Sequence, residues 1–325
     1  MFDAILWPFK WIVSFILWVF HSLFTTIGLD PTSGLTWVLA IVGLTLVMRT
    51  LTIPLFLKQI KSMRGMQELQ PELTKLKKKY QGKTDQLSRQ AMAQEQMALY
   101  KERGANPLSS CFPILAQMPI FFGLYQVLRG IPHAAEKHEG ILMLSSDLVK
   151  QFNDSYIFGQ VPLFSTMLNP GNGNHASTII AAGALVVLMS VSMFVSQKQL
   201  GAKNVSDAAK ESPMYRQQQM MIYIFPVIFL ISGINFPIGV LVYWTVSNIW
   251  SVGQQWWVIR NNPTPGSQAE RELNARRAEK GLPPVGKTKE QYEEELQKAR
   301  ERAAQGQRQQ PVSKKRQRQQ QKKKN

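Results

Sequence analysis

The sequence predicts an all-α integral membrane protein: a five-transmembrane-helix bundle with an N-terminal interfacial helix and a cytoplasmic helical hairpin. Three observations predict it. The blocks 34–57, 107–128, 176–197 and 219–259 carry a single charge between them, Arg49, and uncharged apolar runs of about 20 residues are long enough to cross a bilayer. The mean hydropathy of −0.14 hides this, because it averages those blocks with a very polar tail. Second, the block 219–259 is 41 residues long, or about 61 Å of helix, which is two crossings of a roughly 30 Å core. Asn235-Phe236-Pro237 breaks it into spans 219–235 and 237–259. Third, charge alternates between the connecting segments. Residues 1–33 carry −1, 58–106 carry +6, 129–175 carry −1, 198–218 carry +2 and 260–325 carry +10 within a total of +17. Basic loops mark the cytoplasmic side. The N-terminus and the 129–175 loop then lie outside, and the C-terminus lies in the cytoplasm.

Residues 1–33 hold the interfacial helix. Trp7, Trp11, Phe15 and Trp18 share one helical face, and Lys10, Ser14, His21 and Thr25 form a polar stripe on another. Such an amphipathic, Trp-rich helix suits the membrane interface. A sixth span over residues 4–29 is the competing reading. A cleavable signal is disfavoured, since Asp3 replaces a basic start and no small-residue cleavage site follows.

The first span, 34–57, contains Arg49 eight residues from Leu57, about 12 Å deep. A charge inside a span costs roughly 2.5–3.5 kcal/mol at the bilayer centre on insertion scales, and usually faces the bundle interior or a wet cavity. Snorkelling to the headgroups is the alternative. Thr45 lies one turn earlier on the same face.

Residues 58–106 read as a hairpin. Ile60, Met63, Met66, Leu69, Leu73, Leu76 and Tyr80 recur every three or four residues, Gln81-Gly82-Lys83-Thr84-Asp85 makes the turn, and a second helix from Leu87 ends at Gly104. The second span, 107–128, carries Pro113, Pro119 and a mid-span Gln117, so it should kink. The third, 176–197, is rich in Ala, Gly and Ser, which favours close packing. Span 237–259 places Tyr243, Trp244, Thr245, Ser247 and Asn248 at mid-membrane depth. The tail, 260–325, has one aromatic residue and 26 charged ones. It should be largely disordered apart from a helix at 289–304. Its basic runs, Lys314, Lys315, Arg316, Arg318 and Lys322, Lys323, Lys324, would attract phosphates of RNA or of anionic lipid; plain solubilisation is the alternative.

Several classes are disfavoured. A single cysteine, Cys111, allows no intrachain disulfide. There is no zinc-ligand spacing and no Walker-type phosphate loop, and His21, His133, His138 and His175 all fall outside the five spans. No cofactor or metal is expected. A hydrolase would need a nucleophile or metal constellation within the spans, and none is visible. A transporter or channel with an anion pathway at Arg49 would place polar residues along several spans from both sides and often shows inverted repeats. Here the polar residues gather toward one end and no repeat is evident.

The segments "TLVMRTLTIPLFLKQIKSM", "LQPELTKLKKKY", "MALYKERGANPLSSCFPILAQMPIFFGLY" and "FPVIFLISGINFPIGVLVYWTVSNIWSVGQQ" resemble the YidC/Oxa/Alb family of membrane protein insertases, in the family's order. The resemblance implies a positively charged, water-filled groove in the inner leaflet, closed to the outside. Arg49, Thr45, Gln117, Tyr243, Trp244 and Asn248 match its groove positions. It implies nascent membrane proteins as substrates, insertion without ATP, and the bacterial plasma membrane as location. The ribosome, a Sec translocon and membrane lipids are the implied partners, with RNA met only through the ribosome. Two departures matter. The chain has no room for the large outer β-domain of Gram-negative members, and its tail is longer and more basic than theirs. Both suggest a Gram-positive-type, actinobacterial form.

Overall fold

A computed structural model describes residues 2–104, 112–210 and 213–306. The basic runs at 314–318 and 322–324, Cys111, and the start of the predicted span 107–128 lie outside the described residues. The chain divides into two units, 1–269 and 270–325.

The first unit is helical apart from one two-stranded hairpin. In chain order it holds α1 (Phe2–Thr26), α2 (Gly34–Leu51), α3 (Ile53–Glu68), α4 (Gln70–Lys79), α5 (Gln86–Glu102), α6 (Phe112–Glu136) and α7 (Ser146–Asn153). Then come β1 (Tyr156–Ile157), β2 (Val161–Pro162), α8 (His175–Lys203), α9 (Asp207–Lys210), α10 (Pro213–Ser232) and α11 (Ile238–Asn261). Among the described residues, α1, α2 and α8 are long and apolar enough to cross a membrane, and the apolar stretch of α10, 219–235, is shorter. Helices α6 and α11 have spanning length, 25 and 24 residues, but carry more polar side chains.

The core gathers Trp37, Ile41 and Leu44 of α2, Leu124 and Leu128 of α6, and Val240, Leu241 and Tyr243 of α11, all buried. Helix α11 packs on α8, α2 and α6, and α10 packs on α8. Helix α1 packs on both α2 and α6. Phe20 lies so close to Gly43 of α2 that a Cβ there would sit 2.5 Å from its ring, and the Phe9 backbone approaches Gly123 of α6. Its polar stripe turns inward. Ser14 and His21 are buried while Trp7, Trp11 and Trp18 stay exposed. His21 stacks on Trp37 at 4.0 Å and meets the Pro31 carbonyl at 3.0 Å.

The first predicted span runs to Leu57, but α2 ends at Leu51. The cause is Pro54, which lacks the N–H that would continue the ladder. Thr52 caps the end of α2: its N–H bonds the Met48 carbonyl, and its Oγ1 donates to the Arg49 carbonyl at 2.9 Å. Arg49 therefore sits in the last turn of α2, and the chain continues as α3.

The hairpin of α3, α4 and α5 closes on Met66, Leu69, Leu73 and Tyr100. Its turn has Gly82 at φ +84, and Gly104 ends α5 at φ +60. Asp85 caps α5 by accepting from Ser88 N at 2.8 Å. Lys79 Nζ and Tyr80 Oη both donate to Glu95 at 2.7 Å, and Arg103 pairs with Glu72 at 2.7 Å.

The second unit contains most of α12 (Gln268–Glu279) and all of α13 (Lys289–Gly306). The sequence reading allows one helix in this tail; α12 is a second. Glu, Arg and Ala are strong helix formers and need no core to favour this conformation. Arg277 Nε donates to the Pro283 carbonyl at 2.6 Å, and Asn274 accepts from Val285 N at 2.9 Å, folding the segment after α12 back on it. Helix α13 carries the i,i+4 pair Lys298–Glu294.

Candidate functional site: a cationic cavity between five helices

A cavity of about 590 Å³ opens between α2, α6, α8, α10 and α11, with the start of α3 at one end. Helix α11 supplies one wall through Tyr243, Trp244, Ser247, Asn248, Ser251, Gln254 and Gln255. These positions recur at i, i+3 and i+4, so a single helical face delivers them all. Helix α6 contributes Gln117, and α8 contributes Ser196 and Gln197.

Arg49 is the single charge among the described residues lining the cavity, and none of them is Asp or Glu. Its guanidinium is held by Ser247, whose Oγ accepts from Nε at 2.7 Å and also from Nη2. Ser247 is 1% exposed, and Ser251 Oγ donates to its carbonyl at 3.0 Å. Gln117 Nε2 donates to Tyr243 Oη across the cavity. Ser196 Oγ donates to Gln255 Oε1 at 2.8 Å, and Trp250 Nε1 donates to Gln254 Oε1 at 3.1 Å. The Asn248 Nδ2 is buried with no partner among the described residues.

An aromatic cluster forms part of the lining around Trp244. Trp244 packs on Phe229 at 4.5 Å, Phe121 at 4.7 Å and Phe236 at 5.6 Å, and Phe236 lies 5.8 Å from Tyr125. A second cavity of about 800 Å³ is lined by Tyr125, Arg129, Glu136, Lys150, Asp154 and Asn235 among others. Its charges are mixed, unlike those of the first.

Five of the six residues singled out from sequence, Arg49, Gln117, Tyr243, Trp244 and Asn248, line the first cavity together. Thr45 does not. Its side chain is fully buried and donates to the Ile41 carbonyl of its own helix at 2.7 Å. Ser247, the direct partner of Arg49, belongs to the mid-span polar cluster legible in the sequence but is not among the six groove positions. The signal was present, since Ser247 continues the polar stripe of Trp244 and Asn248 on α11.

Residues 28–265 match the family model described as 60Kd inner membrane protein. The chain belongs to that family. A membrane protein insertase YidC of Tropheryma whipplei strain Twist is 42% identical over 316 residues, covering 95% of this chain and 94% of its own. Its namesake in Bifidobacterium longum is 37% identical, with 95% and 93% covered. That of Streptomyces avermitilis is 42% identical over 92% of this chain and 67% of its own length. With its long apolar helices, the family member described here is an integral bacterial membrane protein.

Proposed function

We propose that this chain is a non-hydrolytic membrane protein insertase and chaperone, and that the cationic cavity receives the hydrophilic tails of its substrates. In this reading α2, α6, α8, α10 and α11 cross the bilayer, and α1 lies at the outer interface, a placement that rests on its amphipathic, Trp-rich pattern. The N-terminus is outside, and the α3–α5 hairpin and tail are cytoplasmic, as the alternation of basic and acidic segments suggests. The protein then belongs in the plasma membrane as a multi-pass protein. The names of its relatives support the activity.

One observation carries the mechanism: a guanidinium on the wall of a polar-lined cavity with no carboxylate to neutralise it. A peptide tail cannot cross hydrocarbon unaided, because each unsatisfied polar group costs several kcal/mol there. A wet recess partway into the bilayer shortens the dry path. Arg49 attracts acidic side chains into it, and the attraction is strong because the surrounding medium has a lower dielectric constant than bulk water. Asn248 offers a free N–H donor to the tail's backbone. The substrate's apolar segment then partitions into lipid beside the cavity, at roughly 0.8 kcal/mol per buried methylene, and this drives the step without nucleotide hydrolysis. On this reading the aromatic cluster around Trp244 blocks the recess from becoming a pore, in contrast to an anion channel at Arg49.

Nascent membrane proteins are the substrates, and the ribosome, a Sec translocon and anionic lipids are partners on this reading. The decisive assay uses the purified chain in liposomes with a single-span substrate bearing an acidic tail. Arg49→Ala should reduce insertion about tenfold, the equivalent of about 1.4 kcal/mol, and Arg49→Lys should retain most of it. Undiminished insertion by Arg49→Ala would refute the electrostatic role.

A further inference from the structure

We propose that the tip of the β1–β2 hairpin is a membrane anchor that seats the Phe158 ring in the headgroup–acyl boundary beside the N-terminal ends of α2 and α8. Such an anchor needs only α2 and α8 to be membrane spans, and is independent of the cavity and of insertase activity.

Phe158 is 95% exposed, more than any other large apolar side chain among the described residues. It also holds a backbone conformation its residue type disfavours. Phe158 has φ +52 and Gly159 has φ +69, and the Gln160 N–H bonds the Ile157 carbonyl at 3.2 Å. Two consecutive left-handed residues make the turn that Asn-Gly fills best, and a bulky residue with positive φ is an outlier. Neither burial nor turn geometry accounts for phenylalanine here.

The hairpin is fixed at the level where two spans begin. A Cβ on Gly34, the first residue of α2, would collide with the Tyr156 carbonyl, so only glycine permits this seat. On the other side the Gln160 carbonyl accepts from Asn174 N at 3.0 Å, and Asn174 caps α8 through Ser177 N. Phe158 is thus held between the entry points of α2 and α8. The composition agrees with a lipid setting, since residues 155–174 contain no charged side chain. Other apolar side chains stand exposed in the flanking segments: Ile27 at 68%, Leu35 at 56% and Ile180 at 71%. A phenylalanine ring at that level can bury itself at the headgroup–acyl boundary, as the Trp, Phe and Leu side chains of interfacial helices do.

The test uses a protein carrying Phe158→Cys together with Cys111→Ser, so that the thiol at position 158 alone takes an environment-sensitive fluorophore. It is placed in vesicles of phosphatidylethanolamine and phosphatidylglycerol, with Lys137→Cys in the same background as reference. Blue-shifted emission, quenching by a nitroxide high on the acyl chain, and several-fold less quenching by iodide than at position 137 are expected. Iodide quenching equal to the reference would overturn the proposal. So would protection from iodide without nitroxide quenching, which would mean protein rather than lipid covers the tip. With native Phe158, a photoactivatable headgroup lipid should label residues 156–160, and Phe158→Asn, which suits the turn, should lose most of that labelling. Equal labelling of the two would contradict the anchor.

Discussion

At the scale of single residues the site is one cation and its acceptor. Ser247 takes two donors from Arg49 and is almost fully buried. Hydrogen bonds to charged groups contribute about 1.5–3 kcal/mol, and leaving a donor unmet costs more than replacing both partners. Ser247→Ala should therefore lower stability by about 1–3 kcal/mol in reversible unfolding of the detergent-solubilised protein. It should also let the guanidinium wander, reducing insertion of an acidic-tailed substrate less than Arg49→Ala does. Much of this was legible. A charge inside an apolar run demanded an explanation, and the face of α11 bearing Tyr243, Trp244 and Asn248 was readable at helical spacing. Thr45 misled because helical spacing says only which residues share a face. Its hydroxyl is satisfied within its own helix, an outcome that competes wherever threonine sits mid-helix.

At the scale of elements, periodicity placed the α3–α5 hairpin, with Gly82, Asp85 and Gly104 where turn and cap chemistry put them. The boundary at Leu51 was harder. Pro54 signals a break, but where the helix stops depends on local bonds at its end, here that of the Thr52 hydroxyl to the Arg49 carbonyl. The hairpin also carries a pH dependence. Hydrogen bonds from Lys79 first, then Tyr80, hold the Glu95 carboxyl below its usual range. A lowered carboxyl pKa contributes stability above the unfolded value, about 4.3, which is lost as pH falls through the folded value. The same contacts raise Lys79 and Tyr80, chiefly through Glu95, so their contribution is lost only as alkaline pH passes their folded values. Hydrogen-exchange protection factors in α4 and α5 of the full-length protein, corrected for the intrinsic rate at each pH, should thus be highest between about pH 5 and 9 and fall on either side. Glu95→Gln should remove the acid-side change. The group is exposed, so the effect is small and salt-sensitive.

At the scale of the whole molecule, the sequence follows an apolar helical bundle with a cationic C-terminal segment. The +10 on residues 260–325 has no core to serve, and among the described tail residues α13 is held by exposed ion pairs. Polyanions bind such tails with a strength that falls steeply with salt. Truncation after Asn261 should weaken ribosome cosedimentation and flatten its salt dependence; unchanged binding would remove the tail from that role. Helicity and membrane character were legible because apolar blocks and charge alternation are long-range averages. The second tail helix was not, since α12 rests on propensity and a local fold-back through Arg277 and Asn274 rather than on an apolar pattern.

The claim that matters most is that the cavity beside Arg49 holds the substrate's polar tail during insertion. A photoreactive residue placed at Gln117 or Asn248, on the cavity wall, and at Ile180, exposed at 71% on the outside of α8, tests it directly with a substrate arrested partway into liposomes. Crosslinks from 117 and 248 to the hydrophilic tail, with position 180 reaching at most the apolar segment, are expected. Tail crosslinks of equal yield from all three positions, or none from 117 and 248, would contradict the account.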